Sequence, residues 1–208
     1  MVRPRFHRRN TSCCTGVNTS NLVVVKTVQT RLSDSKIAVL NIRSLKRNIL
    51  SVKCFLLEVC PDITFLSETW LQNDDIYPKR ELCSLGYNMI RRDRNARGSG
   101  VALLFKNTLL HSTVQLGDYG SFEYVHALLS SGKESAHCIC IYRPPKSSER
   151  TFLCKIEQLL LQTSSLGDPI FIAGDFNIHV DNNNNPFATN FTNMLLALRM
   201  NAVIRLIY

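Results

Sequence analysis

Five polar residues stand where apolar runs stop. Asn41 follows Ile37-Ala38-Val39-Leu40, and Glu68 follows Ile63-Thr64-Phe65-Leu66-Ser67. Tyr142 follows Ile139-Cys140-Ile141, and Asp175 and Asn177 close Ile170-Phe171-Ile172-Ala173-Gly174. Each has an ordinary explanation alone: an amide bonded to its own turn, a carboxylate at a helix start, a phenol with its ring buried and its hydroxyl wet. Together they form a donor set. Two carboxylates from distant runs suit a hard divalent cation such as Mg2+, which commonly takes one or two carboxylates and completes its shell with water and phosphate oxygens. Two amides and a phenol add neutral groups that can hold a phosphate without competing for the metal.

Other residues could serve the same chemistry from further out. Arg91, Arg92, Arg94 and Arg97 cluster before Gly98-Ser99-Gly100; guanidinium groups grip phosphates in bidentate fashion, although a solvated hairpin tip explains such a cluster equally well. His179 falls just past Asn177 and reads as a hydrogen-bonded supporting residue. Of the eight cysteines none forms a C-x-x-C pair, which excludes a zinc ribbon or a thioredoxin-type motif. Cys54 and Cys154 sit inside apolar-periodic stretches and are expected to behave as small hydrophobes. Free thiols in a reducing compartment are the expectation.

The elements that must position these groups alternate in type. Ile37–Ile42 and Ile63–Leu66 read as buried strands. Between them Leu45, Ile49, Val52, Phe55, Leu56 and Val59 recur at helical spacing, stopped by Pro61. Tyr87–Arg92 and Gly100–Phe105 flank a turn and predict a hairpin. Phe122–Leu129 and His137–Tyr142 predict two strands about Ser131-Gly132. Phe152, Ile156, Leu159 and Leu160 predict a helix capped by Ser148. A strand through Ile170–Ala173, a helix carrying Phe187, Phe191, Met194, Leu195 and Leu198, and a closing strand over Val203–Tyr208 complete the chain. Asn182–Asn185 is a loop. Hairpins mixed with βα units imply a layered α/β fold with a mixed sheet, in which ligands bind where strand ends meet loops.

Length and composition agree. The 208 residues amount to one domain, or one with a tail, and 45% hydrophobic against 20% charged residues allows a packed core. No run approaches the 18 apolar residues of a membrane span. The net charge of +9 favours an anionic partner such as nucleic acid. Residues 1–35 hold Arg3, Arg5, Arg8, Arg9, Lys26 and Arg31 against Asp34 alone. They read as a basic, disordered arm ahead of a domain spanning 36–208. The arm lacks the apolar stretch of a secretory signal, and its composition is also that of a mitochondrial presequence.

Asn41 in Leu-Asn-Ile-Arg-Ser-Leu, Ser67-Glu68-Thr69-Trp70-Leu71, Tyr142-Arg143-Pro144-Pro145 and Gly174-Asp175-Phe176-Asn177-Ile178-His179 occur in an order and spacing that resembles the endonuclease/exonuclease/phosphatase superfamily, the fold of DNase I and the apurinic endonucleases. The wording of the first two motifs is most similar to the endonuclease domain of non-LTR (LINE-type) retrotransposons. The resemblance covers about residues 36–200. It implies a four-layered α/β sandwich, two mixed sheets face to face with helices outside, and metal-dependent hydrolysis of phosphodiesters in DNA, with Mg2+ or alternatively Mn2+. Glu68 would be the principal metal ligand, with Asn41 supporting metal or phosphate. Tyr142 would contact the scissile phosphate, Asp175 would orient or activate water, and Asn177 would hold phosphate charge. Some relatives carry an acid two residues after the first Asn; here that position holds Arg43.

The superfamily normally continues through further strands to an Asp and a terminal Ser-Asp-His, whereas no Asp, Glu, His or Lys follows Asp181 here. The expectation is a domain incomplete at its C-terminus, with an open sheet edge and impaired nuclease activity. The rival readings are a phosphatase or lipid phosphodiesterase of the same fold, and an inactive fragment that at most binds nucleic acid. DNA is the expected partner, with no membrane and no obligate protein partner. A nuclear or cytoplasmic location follows from that substrate, with the mitochondrion as the minor alternative.

Overall fold

The computed structural model describes residues 22–27, 35–93, 99–180, 182 and 184–203. Strands and helices follow in the order β1 (Leu22–Thr27), β2 (Ile37–Asn41), α1 (Leu45–Val59), β3 (Ile63–Ser67), α2 (Tyr77–Cys83), β4 (Tyr87–Arg92), β5 (Val101–Lys106), β6 (Leu110–Thr113), β7 (Glu123–Ser131), β8 (Glu134–Tyr142), α3 (Glu149–Ser164), β9 (Ile170–Asp175), α4 (Pro186–Ala197) and β10 (Met200–Val203). The strands form two mixed sheets, one ordered β10-β1-β9-β8-β7-β6 and the other β2-β3-β5-β4.

Alternation within each strand assigns its two faces. In the small sheet Val39, Phe65, Val101, Leu103 and Phe105 point inward and meet Val125, Ala127, Cys138, Cys140, Phe171 and Ala173 of the large sheet. The opposite residues, Leu66, Met89, Ala102 and Leu104, pack under α1 and α2. Ile139, Ile141, Ile170 and Ile172 pack under α3 and α4, against Phe152, Ile156, Phe187 and Phe191. The result is the four-layered sandwich. Cover on both faces explains why β3 and β9 are buried along their whole length and mostly apolar.

α1 forms where the apolar spacing demands it. Leu45, Ile49, Val52 and Leu56 are buried, each contributing about 1.5–3 kcal/mol of transfer free energy. The helix ends at Cys60, left-handed at φ 49, whose N–H donates to the Leu56 carbonyl ahead of Pro61. Ser148 and Asn185 cap α3 and α4 through their side-chain oxygens. Pairing matches expectation at the hairpin: β4 and β5 are antiparallel, with Arg92 opposite Val101. β8 and β9 run parallel, so Tyr142 lies opposite Asp175.

Two expectations need correction. Within the expected arm, Leu22–Thr27 is a strand, inserted antiparallel between β9 and β10 with Leu22 opposite Asp175. The expectation overlooked the pairing that β9 offers: Leu22 to Lys26 run in register with Asp175 to Phe171, strand residues that are themselves buried. The rest of the arm, Arg3 to Arg9 included, lies outside the described residues, as do Arg94, Arg97 and the predicted closing strand beyond Val203. Cys54 and Cys154 are exposed rather than core-filling, because their positions fall off the buried stripes of α1 and α3; Cys138 and Cys140 are the buried thiols.

Candidate active site

The ends of β2, β3, β8 and β9 lie on the same side of the sandwich, and the site is assembled from what the chain places just there. Asn41, the last residue of β2 and 3% exposed, donates through Nδ2 to Glu68 Oε1 and to Asp175 Oδ2, both at 2.7 Å. One amide thus joins a carboxylate of the small sheet to one of the large sheet. Nothing among the described residues donates to Asn41 Oδ1, although it is buried. Buried polar oxygens are nearly always satisfied, so this atom, beside two carboxylates, is a place for a cation or its water. All the donors are hard oxygens, which fits an ion of the Mg2+ type. No group of three or more His, Cys, Asp or Glu among the described residues is placed to hold a metal ion by itself.

The segments bearing these groups are held in uncommon backbone conformations. Glu68 and Trp70 have φ 55 and 52, and Asn177 has φ 49. Such angles in residues other than glycine persist only where neighbours over-determine them. Thr69 N–H donates to Gly100 O and Trp70 N–H to Ser99 O, while Ser44 N–H donates to Glu68 O. Gly100 is obligatory in that position: its φ is 91 and a Cβ would lie 2.4 Å from Thr69 Oγ1. Asn177 donates its backbone N–H to Asp175 Oδ1 (3.1 Å) and its Nδ2 to Arg143 O (2.6 Å).

Burial dominates the titration of the cluster. It pushes the Asp175 carboxyl up to about 6, a rise that the Asn177 N–H and the Asn41 amide oppose, that Glu68 adds to, and that the Arg43 charge also opposes. Burial, and then the charges of Glu68, Asp175 and Glu123, push the Tyr142 phenol up to about 12. At neutral pH the site therefore holds an ionised Asp175 next to a protonated phenol that can donate.

Glu123 is the residue sequence reasoning missed. It begins β7 opposite Tyr142, is buried, and accepts from Gly100 N–H at 2.6 Å. It ties the large sheet to the turn that supports Thr69 and Trp70. The signal was an acid set between Phe122 and Tyr124 in an otherwise apolar run. Of the expected arginine group, Arg91 and Arg92 are described, and they have different partners. Arg91 faces the body, bonded to Asp93 and to the carbonyls of Gln72, Asn73 and Asp75. Arg92 pairs with Asp118 and lies over the Tyr124 ring. His179 is exposed and its ring bonds no described residue; the left-handed Asn177 turns the chain so that it points outward, so the supporting role expected for it is not seen. His126 and His137 pair with each other on the helix-covered face of the large sheet, away from the cluster.

The sequence profile described as the Endonuclease/Exonuclease/phosphatase family matches residues 38–203. The chain belongs to that family. Its enzymes are phosphodiesterase and phosphatase hydrolases that generally use divalent metals. Solved structures share its fold. An AP endonuclease from Archaeoglobus fulgidus aligns with TM-score 0.61 and 18% identity over 79% of this chain and 70% of its own. Truncated Caenorhabditis elegans TDP2 aligns with TM-score 0.54 and 18% identity over 69% and 62%. The 3′ phosphatase NExo from Neisseria, bound to a product DNA hairpin, aligns with TM-score 0.56 and 17% identity over 77% and 71%. The chain therefore spans about two thirds of the length of these structures. No curated protein matches it.

Proposed function

We propose that this family member is a metal-dependent phosphodiesterase of DNA, an endonuclease domain of the non-LTR retrotransposon kind. The observation that carries the reading is the Asn41 amide shared between Glu68 and Asp175 beside an unpartnered buried oxygen. The basic balance of +9 and the DNA-bound solved structures support nucleic acid as the substrate class. The Leu-Asn-Ile-Arg-Ser-Leu and Leu-Ser-Glu-Thr-Trp-Leu wording supports the retroelement origin.

In this reading Glu68 and Asn41 would hold Mg2+ or Mn2+, which when bound would supply charge stabilisation at the phosphate. Asp175, ionised above about pH 6, accepts a proton-side hydrogen bond from the attacking water and so aligns it. Tyr142 donates its phenol hydrogen to a phosphate oxygen, and Asn177 bears on the phosphate from the β9 turn. Arg92 is the described arginine proposed to grip phosphate near the site, and Arg94 and Arg97 remain candidates by sequence alone.

The test is nicking of supercoiled plasmid by the purified chain in Mg2+, in Mn2+ and in EDTA, with Glu68→Ala alongside, and with an abasic duplex and inositol phosphates as competing substrates. Metal-dependent nicking lost in Glu68→Ala supports the reading. Hydrolysis of inositol phosphates alone places the chain with the phosphatases. DNA retention without cleavage of any substrate makes it a binding fragment.

A further inference from the structure

We propose that Arg143 is the positioning residue of this site: a buried guanidinium that holds the Asn177 turn, and through it the Asp175 carboxylate, in working geometry. Its catalytic meaning rests on the phosphodiesterase reading, whereas the positioning is open to a measurement that needs no turnover.

The need for such a residue follows from the backbone. β8 and β9 run parallel as far as Tyr142 and Asp175, and the pairing reaches one step further, from Arg143 N–H to Asp175 O at 2.9 Å. Beyond that the chains part, because Asn177 takes φ 49. The carbonyls of Phe176 and Asn177 then have no strand to pair with, in a place walled by α3 and α4. Arg143 Nη1 donates to both, at 3.4 and 3.2 Å, and Nη2 donates to Ser147 O at 2.7 Å. The tie is reciprocal, since the Asn177 side chain donates back to Arg143 O at 2.6 Å. Asn177 N–H in turn reaches Asp175 Oδ1 at 3.1 Å. The guanidinium lies 5.3 Å from the centre of the Phe152 ring of α3 and 4.7 Å from that of Phe187 of α4.

As core filling this residue makes poor sense. Arg143 is 3% exposed, no carboxylate contacts it among the described residues, and its Nε is buried without a partner. Burial depresses its affinity for the proton, which the more distant Glu149 only opposes. A cation removed from water without a counter-charge is costly, and an apolar side chain would fill the space between two phenylalanine rings without that penalty. What an apolar side chain cannot do is satisfy three carbonyls aimed in two directions. Lysine cannot either, because it lacks the planar fork and the face that stacks on aromatic rings. The geometry makes sense if the turn itself is what must be held. The feature holding Asp175 and Asn177 is thus one side chain outside the cluster that touches phosphate or metal.

The experiment is local hydrogen exchange across residues 174–180 in the full chain, for wild type and for Arg143→Lys, Arg143→Met and Arg143→Ala, with β4 and β5 as internal reference. Exchange at Asn177 and its neighbours should rise at least about tenfold in all three variants while the reference strands stay protected, the scale of a lost charge-assisted hydrogen-bond set. Guanidinium at tens of millimolar should restore protection in Arg143→Ala, and the same concentration of urea should not. If wild type cleaves DNA, Arg143→Lys should lose kcat by about 10²-fold with KM little changed, as expected when reacting groups are misplaced by about 1 Å. Wild-type exchange at 174–180 in a folded Arg143→Lys or Arg143→Met, or wild-type kcat in either, overturns the proposal. Absence of wild-type cleavage defeats the phosphodiesterase reading alone and leaves exchange to decide the positioning.

Discussion

Replacing Gly174 by alanine should break the site from within its own strand. Gly174 sits one residue before Asp175 with φ 145, between Ile141 of β8 and Val23 of β1. A Cβ built there would lie 1.9 Å from the Ile141 carbonyl oxygen and 2.9 Å from the Ile141 carbon and nitrogen. These are backbone atoms in a parallel pair and have no rotamer to give. Ordinary contact begins at 3.4 Å, so β8 and β9 must part by roughly 1.5 Å, since cores are close-packed and transmit such strain. A 2.9 Å bond such as Arg143 N–H to Asp175 O does not survive that opening. Two such bonds at about 1 kcal/mol each and a non-glycine residue at this φ at about 1–3 kcal/mol total about 3–5 kcal/mol. For a chain of this size that lowers Tm by about 6–20 °C. Thermal melts followed by circular dichroism, with urea titration to give the free energy, measure it. A Gly174→Ala protein melting within about 2 °C of wild type would refute the reasoning, because no rotamer change can relieve a backbone clash.

Other outcomes follow from buried charge. His126 and His137 face each other at 2.9 Å, and burial, with His137 adding to it, holds His126 down to about 3; burial also lowers His137, which Asp168 opposes. Both are neutral in the fold, so the unfolded chain takes up protons first as pH falls below about 6.5, and stability drops through that window, by up to about 2 kcal/mol for His126 alone at pH 5. His126→Phe should flatten the profile of urea midpoints between pH 7 and 5; an unchanged slope would refute the assignment. Asp175 carries the opposite sign, because its raised proton affinity makes the folded state lose stability as pH climbs from about 3.8 to 6. Asp175→Asn should therefore melt higher than wild type at pH 7, by no more than about 3 kcal/mol, while losing hydrolysis; a lower melting point would contradict it.

Much of the site could be read along the chain because most of its residues end, or directly follow, a largely buried strand. There a polar side chain cannot be core, so Asn41, Glu68, Tyr142 and Asp175 stood out. Glu123 did not, because it opens its strand, where an acid ordinarily meets water. Arg143 was visible only as a letter in a motif; its burial depends on Phe152 and Phe187, which lie on two helices further along the chain. The arginines before Gly98 show the converse limit: sequence placed Arg91 among them, but the carbonyls that occupy it belong to the 72–75 segment, which had no periodic signal. β1 escaped notice because four apolar residues in a basic stretch declare a strand only once β9 offers them an edge.

Asn41 and Glu68 belong to one sheet and Asp175 to the other, so the cluster lies across the seam of the sandwich. An ion or phosphate gripped from both sides would act as a rivet between the sheets. Whatever binds there raises the work of separating them by RT ln(1 + [L]/Kd), and the linkage runs in reverse. Phe65, Phe105 and Phe171, which pack the space between the sheets, set how well the two halves of the grip are aligned before anything arrives. Loosening that packing should weaken ion affinity without touching a ligand, which makes the greasy interior of this protein part of its affinity for a charged guest.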